Sequence, residues 1–199
     1  EIGINSVDLI TADGGFDYSN DYSKQEDNSI KLIYSEIFFA LNVQKKGGSF
    51  ICKLFDIFNK DTINILYILR ILYKNVIFHK PKISRMSNSE KYIICTNYKG
   101  YNKNINNMLC HNFEENKLNI PICSNYINDI YKFNQLYCNE QIKHINLGLI
   151  LIKENRLDDK PSLEQIQLAI DWCNKYDIQL NDKCIYFKYH KLRGELLRV

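Results

Sequence analysis

The chain has 199 residues, 45% of them hydrophobic and 25% charged, with a formal net charge of +3, the balance of a globular protein of one or two small domains. That composition excludes disorder, collagen and coiled coil, and the longest apolar run, Ile63 to Leu72, is broken by Asn64, Tyr67 and Arg70, well short of the roughly 20 residues a membrane helix needs. The charge is too small to argue for nucleic acid without a concentrated basic patch.

The start, Glu1-Ile2-Gly3-Ile4-Asn5, carries no Met and no secretory pattern. It leads almost at once into a strand pattern, so the expectation is the C-terminal part of a longer protein. Cys52, Cys95, Cys110, Cys123, Cys138, Cys173 and Cys184 are odd in number and contain no CxxC pair, which favours a reducing compartment. Abundant Asn, Ile, Lys and Tyr are the usual product of AT-rich codons, so single Lys and Asn residues carry little weight.

Val7 to Ala12 reads as a fully buried strand, and Asp13-Gly14-Gly15 opens a polar loop that runs to about Asp27. Ile30, Ile33, Tyr34, Ile37, Phe38 and Leu41 recur at helical spacing through Val43, and Lys45-Lys46-Gly47-Gly48 is expected to end that helix. Ser49 to Leu54 is the second buried strand, Thr62 to Tyr73 a helix, Asn75 to His79 a third strand and Lys91 to Asn97 a fourth. The link between the last two, Lys80 to Glu90, suits an antiparallel pair with a wide loop. The alternation predicts an α/β domain with a largely parallel sheet over residues 1–100. Beyond Lys99 the periods are helical, giving a helical annex over residues 101–199. In it, Asn125 to Glu154 is one broken helix or two consecutive ones, and Pro161-Ser162 with Glu164 and Gln165 opens another that reaches about Tyr176.

Asp13, Lys53 and Glu90 stand at strand ends, where open α/β sheets collect ligands. Glycines after Asp13 let backbone approach a ligand closely. A charge within the apolar run Gly47-Gly48-Ser49-Phe50-Ile51-Cys52-Lys53-Leu54-Phe55-Asp56 calls for a carboxylate partner, and Glu90 is placed to supply one. The plain structural alternative is that Asp13 caps its loop while Lys53 and Glu90 form an ion pair without chemistry. If the three converge, the lysine can serve as a base once its proton is lost. Cys110, His111, Cys123, Cys138 and His144 match no zinc-ligand spacing, Trp172-Cys173 reads as core, and the basic tail Lys188 to Arg193 reads as a solvated end.

The segments Asp8-Leu9-Ile10-Thr11-Ala12-Asp13-Gly14-Gly15-Phe16-Asp17, Gly47 to Asp56, and Lys82-Ile83-Ser84-Arg85-Met86-Ser87-Asn88-Ser89-Glu90-Lys91-Tyr92-Ile93 resemble the FtsJ-type ribose 2′-O-methyltransferases. Within these they are most similar to the eukaryotic and large-DNA-virus enzymes that act on capped mRNA. The resemblance is strong over residues 7–100 and weak beyond. It implies a Rossmann-like fold dependent on S-adenosylmethionine, represented here by its C-terminal part, and a Lys-Asp-Lys-Glu tetrad with Asp13, Lys53 and Glu90 as its last three members. The first Lys and the donor-binding loop are expected upstream of Glu1, so this chain alone is not expected to bind the donor properly. The resemblance further implies donor contacts at Asp13 and Gly14, a chemistry that needs no metal, and capped mRNA as partner, with neither DNA nor membrane expected. Lys53 would orient and deprotonate the ribose 2′-hydroxyl, and Glu90 would hold Lys53 by a hydrogen bond. Tyr22, in the loop after Asp13, is a candidate for stacking on the cap. Arg85, flanked by Lys80 and Lys82, is a candidate for RNA phosphate. The location implied is intracellular, cytoplasm or nucleus, a viral protein in its host included. Two alternatives stay open: a ribosomal or transfer RNA 2′-O-methyltransferase, and a non-catalytic RNA-binding subunit on the same fold.

Overall fold

A computed structural model describes residues 3–18, 21–115, 117–156 and 160–186; the basic tail at 188–193 lies outside them. In chain order the elements are β1 (Val7–Ala12), a 3-10 turn (Tyr22–Lys24), α1 (Gln25–Val43), β2 (Gln44–Leu54), α2 (Lys60–Leu72), β3 (Tyr73–His79), β4 (Lys91–Tyr98), α3 (Lys103–Asn112), α4 (Ser124–Lys153) and α5 (Leu163–Lys175). Residues up to Asn146 form one compact unit and those from Leu147 a second.

In the first unit, strand order is β1-β2-β4-β3. The β1-α1-β2 crossover makes a parallel pair, as expected of a Rossmann-like α/β fold. The β3–β4 pair is antiparallel, as the Lys80–Glu90 link suggests; the expectation of a largely parallel sheet needs correction because β4 also inserts beside β2, antiparallel to it. The wide Lys80–Glu90 link permits this reversal.

Register sorts the side chains into two faces. Phe50, Cys52 and Leu54 of β2 lie across from Cys95, Ile93 and Lys91 of β4, which in turn face Val76 and Phe78 of β3. These join the core with Ile33, Tyr34, Ile37 and Leu41 of α1, Ile65, Leu66 and Leu69 of α2, and Tyr126 and Ile130 of α4. Two of the buried Tyr hydroxyls of this layer find backbone acceptors: Tyr34 donates to the Leu109 carbonyl and Tyr98 to that of Leu41, both at 2.8 Å, while the Tyr126 hydroxyl has no partner among the described residues. The other face carries Leu9, Ile51, Lys53, Tyr92 and Ile77. Leu9 and Ile77 are each 58% exposed, so β1 is a half-exposed edge strand and not the fully buried one its apolar run predicts. An edge strand with described helices packed over one face has only half its side chains in the core.

The helix ends follow ordinary rules. Glu26 and Asp27 occupy the first turn of α1, as does Asp61 for α2 with Arg70 in its last turn. Lys45 to Gly48 do not form a cap after α1. Gln44 already begins β2, and the register slips between Val7 and Leu9, so these residues make a bulge in which Gly47 has φ +88°. α4 is one continuous 30-residue helix. In the second unit, the Ser162 hydroxyl accepts from Gln165 N at 3.2 Å and Gln165 Oε1 from Ser162 N at 2.7 Å, the capping box expected for α5.

Candidate active site

Because Ala12 and Cys52 are register partners in the parallel pair, the next residues, Asp13 and Lys53, emerge level at the carboxyl ends of β1 and β2. Lys53 Nζ lies 2.7 Å from Asp13 Oδ1 and donates to the Asp13 carbonyl at 3.3 Å. The lysine side chain is 16% exposed and the aspartate 71%, so the ammonium is largely enclosed while its partner faces solvent. The Phe55 ring lies 5.7 Å from Nζ. Directly across the antiparallel pair stands Tyr92, giving the row Asp13, Lys53, Tyr92 over three neighbouring strands.

Glu90 is near this row, yet it does not hold Lys53 as expected. Its Oε1 accepts from Tyr92 OH at 3.3 Å and Ser84 Oγ at 3.4 Å, and no Lys53–Glu90 hydrogen bond or ion pair occurs among the described residues. Register places Tyr92, not Glu90, opposite Lys53, and the Glu90 carboxylate is engaged by Tyr92 and Ser84. Burial, then Glu90 and Asp13, push the Tyr92 hydroxyl above the ordinary range. Period-2 alternation places Tyr92 on the same strand face as Glu90, a signal in the sequence that the family motif does not include.

Gly14 packs closely against α1. Its N–H donates to Glu36 Oε1 at 2.9 Å, and a Cβ there would stand 2.5 Å from that oxygen and 2.9 Å from Leu32 Cδ2. The space beside Gly14 is taken by α1, and it does not have positive φ. Asp13, by contrast, keeps an exposed carboxylate that suits a cationic donor.

Tyr22 and Arg85 line one cavity of about 540 Å³ with Gln25, Phe55, Asp56, Glu90 and Gln141. Tyr22 is 69% exposed, and Arg85 makes no ion pair among the described residues. The cavity adjoins the Lys53 row through Phe55 and Glu90. Lys80 is not a phosphate ligand beside Arg85: it is turned inward, donating to Asn88 Oδ1 (2.8 Å), the Asn88 carbonyl (3.1 Å) and the Glu90 carbonyl (2.7 Å). It thereby shapes the loop that carries Arg85 and Glu90, and burial, helped by Lys91, lowers its ammonium below the ordinary lysine range. Lys91, also buried, donates to the Ser89 carbonyl at 2.7 Å and lies 3.6 Å from Asp56 Oδ1. Burial lowers its ammonium too, while Asp56 acts the other way. Among the described residues no three of His, Cys, Asp and Glu gather as metal ligands, all seven cysteines are free, and no helix is long and apolar enough to cross a membrane.

The profile of FtsJ-like methyltransferases matches residues 1–98. The chain is 33% identical over 146 residues to cap-specific mRNA (nucleoside-2′-O-)-methyltransferase 1 of Caenorhabditis elegans, covering 69% of this chain and 16% of that protein. It is 32% identical over 149 residues to the cap-specific mRNA (nucleoside-2′-O-)-methyltransferase of Autographa californica nuclear polyhedrosis virus, covering 75% and 50%. It is also 36% identical over 89 residues to inactive cap-specific mRNA (nucleoside-2′-O-)-methyltransferase 1B of Caenorhabditis briggsae, covering 45% and 10%. The chain therefore spans half or less of the length of these relatives. Through residues 1–98, it belongs to the FtsJ-like methyltransferase family.

Proposed function

We propose that the protein is an mRNA cap ribose 2′-O-methyltransferase that modifies the first transcribed nucleotide of capped RNA. The observation that carries this reading is the enclosed Lys53 held at 2.7 Å by Asp13 at level strand ends, on a family scaffold shared with relatives named for that activity. S-adenosylmethionine, when bound, supplies the methyl group, and the exposed Asp13 carboxylate is the residue here that suits its cationic centre. Lys53, as the neutral amine left once its ammonium has given up a proton, orients the ribose 2′-hydroxyl and takes its proton. Asp13 holds Nζ in position, and Phe55 limits water on its other side. Glu90 holds Tyr92 and the 80–90 loop, so its part is to shape the wall between Lys53 and the cavity. No step in this sequence calls for a metal.

The cavity beside Glu90 falls within the ~300–1,000 Å³ range of small-ligand sites. Tyr22 would stack there on the cationic methylated guanine of the cap, facing the Asp56 and Glu90 carboxylates, and Arg85 on the rim would meet phosphate. A 2′-hydroxyl requirement confines the substrate to RNA. The protein would act inside a cell, in cytoplasm or nucleus, a setting that suits seven free cysteines.

Transfer of labelled methyl from S-adenosylmethionine by the full-length protein tests the reading, with capped RNA, uncapped RNA and capped RNA already 2′-O-methylated as acceptors. Label in the unmethylated capped RNA alone supports it. Equal label in capped and uncapped RNA would move the protein to the ribosomal or transfer RNA class. No label in any would favour a non-catalytic subunit, a reading for which one relative's name, an inactive one, gives precedent.

A further inference from the structure

We infer that Glu36, in the middle of α1, is a positioning residue for the methyl transfer: its carboxylate ties the turn after Asp13 to the strand that carries Lys53. The inference rests on the function proposed above. One oxygen, Oε1, accepts the Gly14 N–H at 2.9 Å. The other, Oε2, lies 3.5 Å from Cys52 Sγ, whose proton is shared between it and the Lys53 carbonyl at 3.4 Å. Gly14 immediately follows Asp13 and Cys52 immediately precedes Lys53, so one side chain touches the neighbours of both members of the pair.

The need for such a tie follows from exposure. Asp13 is 71% exposed and lies past the end of β1, where no further ladder bond fixes its backbone. Burial cannot hold it, and its ion pair and carbonyl bond are both made by the one Lys53 ammonium, an exposed contact of the weaker kind. The Gly14 N–H bond to a charged acceptor is of the stronger kind, and the close fit of Gly14 against Glu36 and Leu32 leaves little space for the turn to shift. On the other side, burial and then Glu36 raise the Cys52 thiol well above its ordinary range, so it stays protonated and able to donate. Glu36 touches neither the RNA cavity nor Lys53 itself and acts through the placement of Asp13.

The test compares Glu36→Ala, Glu36→Gln and Glu36→Asp in the full-length protein, reading kcat and KM for capped RNA together with hydrogen exchange at the Gly14 amide. Glutamine keeps an oxygen for Gly14; alanine removes it, and aspartate withdraws it by one methylene while keeping the charge. Expected are a kcat loss of about 100-fold for Ala with KM within about twofold, recovery to within about threefold of wild type for Gln, and faster Gly14 exchange in Ala but not in Gln. Should the Ala variant fail to fold, Asp carries the same expectation of lowered kcat with KM unchanged. A kcat near wild type in both Ala and Asp, a Gln variant as impaired as Ala, or unaltered Gly14 exchange would each overturn the inference. A wild-type protein that methylates no RNA would instead overturn the functional reading and the catalytic part of this one, while amide exchange still decides whether Glu36 holds the turn.

Discussion

Glu26 sits buried on the first turn of α1 and caps a different helix. Its carboxylate accepts the Phe58 N–H at 2.9 and 3.1 Å and the Asn59 N–H at 2.9 Å, at the N-terminus of α2, where Asn59 provides no side-chain cap of its own. Glu26→Ala removes the charged acceptor of two part-buried backbone donors, each bond worth about 1.5–3 kcal/mol, and a negative charge at the positive helix end, worth about 0.3–1 kcal/mol. Because Phe58 and Asn59 are exposed and water can reach them, the lower half of that sum applies, about 3–5 kcal/mol. Glu26→Gln keeps one acceptor oxygen and should lose about 1–2 kcal/mol. Urea unfolding reads both as shifts of the midpoint at unchanged slope: with a slope of about 2 kcal/mol/M, Ala should move the midpoint down by about 1.5–2.5 M. A loss below about 1 kcal/mol for Ala, or equal losses for Ala and Gln, would refute the reasoning, because either result means water or a rearranged loop replaces the cap. The consequence reaches the site, since Asp56 in the cavity wall lies two residues before Phe58.

Alkaline stability follows from Cys95, whose thiol burial pushes up from 9.0 to about 12. Its raised native value means the unfolded chain releases a proton first, so stability present below pH 9 is lost between about pH 9 and 12, at up to ~1.4 kcal/mol per pH unit; Cys95→Val should flatten that slope, and an unchanged slope would count against the burial argument. Arg85→Ala should raise KM for capped RNA and make its logarithm depend less steeply on log salt, by about 0.7. Lys80→Met should leave that salt dependence as in wild type, because its ammonium is spent on the loop backbone; the reverse pattern would assign the phosphate contact to Lys80.

Several elements are legible in the sequence for definite physical reasons. The helices α1, α2 and α5 declare themselves by apolar spacing and, for α5, by Ser162 and Gln165. Asp13 and Lys53 are adjacent because both end apolar strand runs of a parallel pair, which pattern alone can show. What pattern cannot show is which strand lies between which: β4 enters between β2 and β3, and only then does Tyr92, not Glu90, come to face Lys53. Gly47 looks like a helix cap because cap and bulge ask for the same positive φ. The packing of Gly14 against α1, and the turn of Glu36 toward it, come only with the fold. Lys80 and Arg85 have similar sequence surroundings, yet one turns into the loop and the other out to the cavity rim, a choice set by the carbonyls of Asn88 and Glu90.

The account turns on Lys53 handling the proton of the ribose 2′-hydroxyl, and single-turnover methyl transfer to capped RNA by the full-length Lys53→Met variant measures that directly. Loss of general-base assistance is worth about 100- to 10,000-fold. The account predicts a rate lowered by at least the smaller factor with capped RNA still bound; a rate within tenfold of wild type would contradict it.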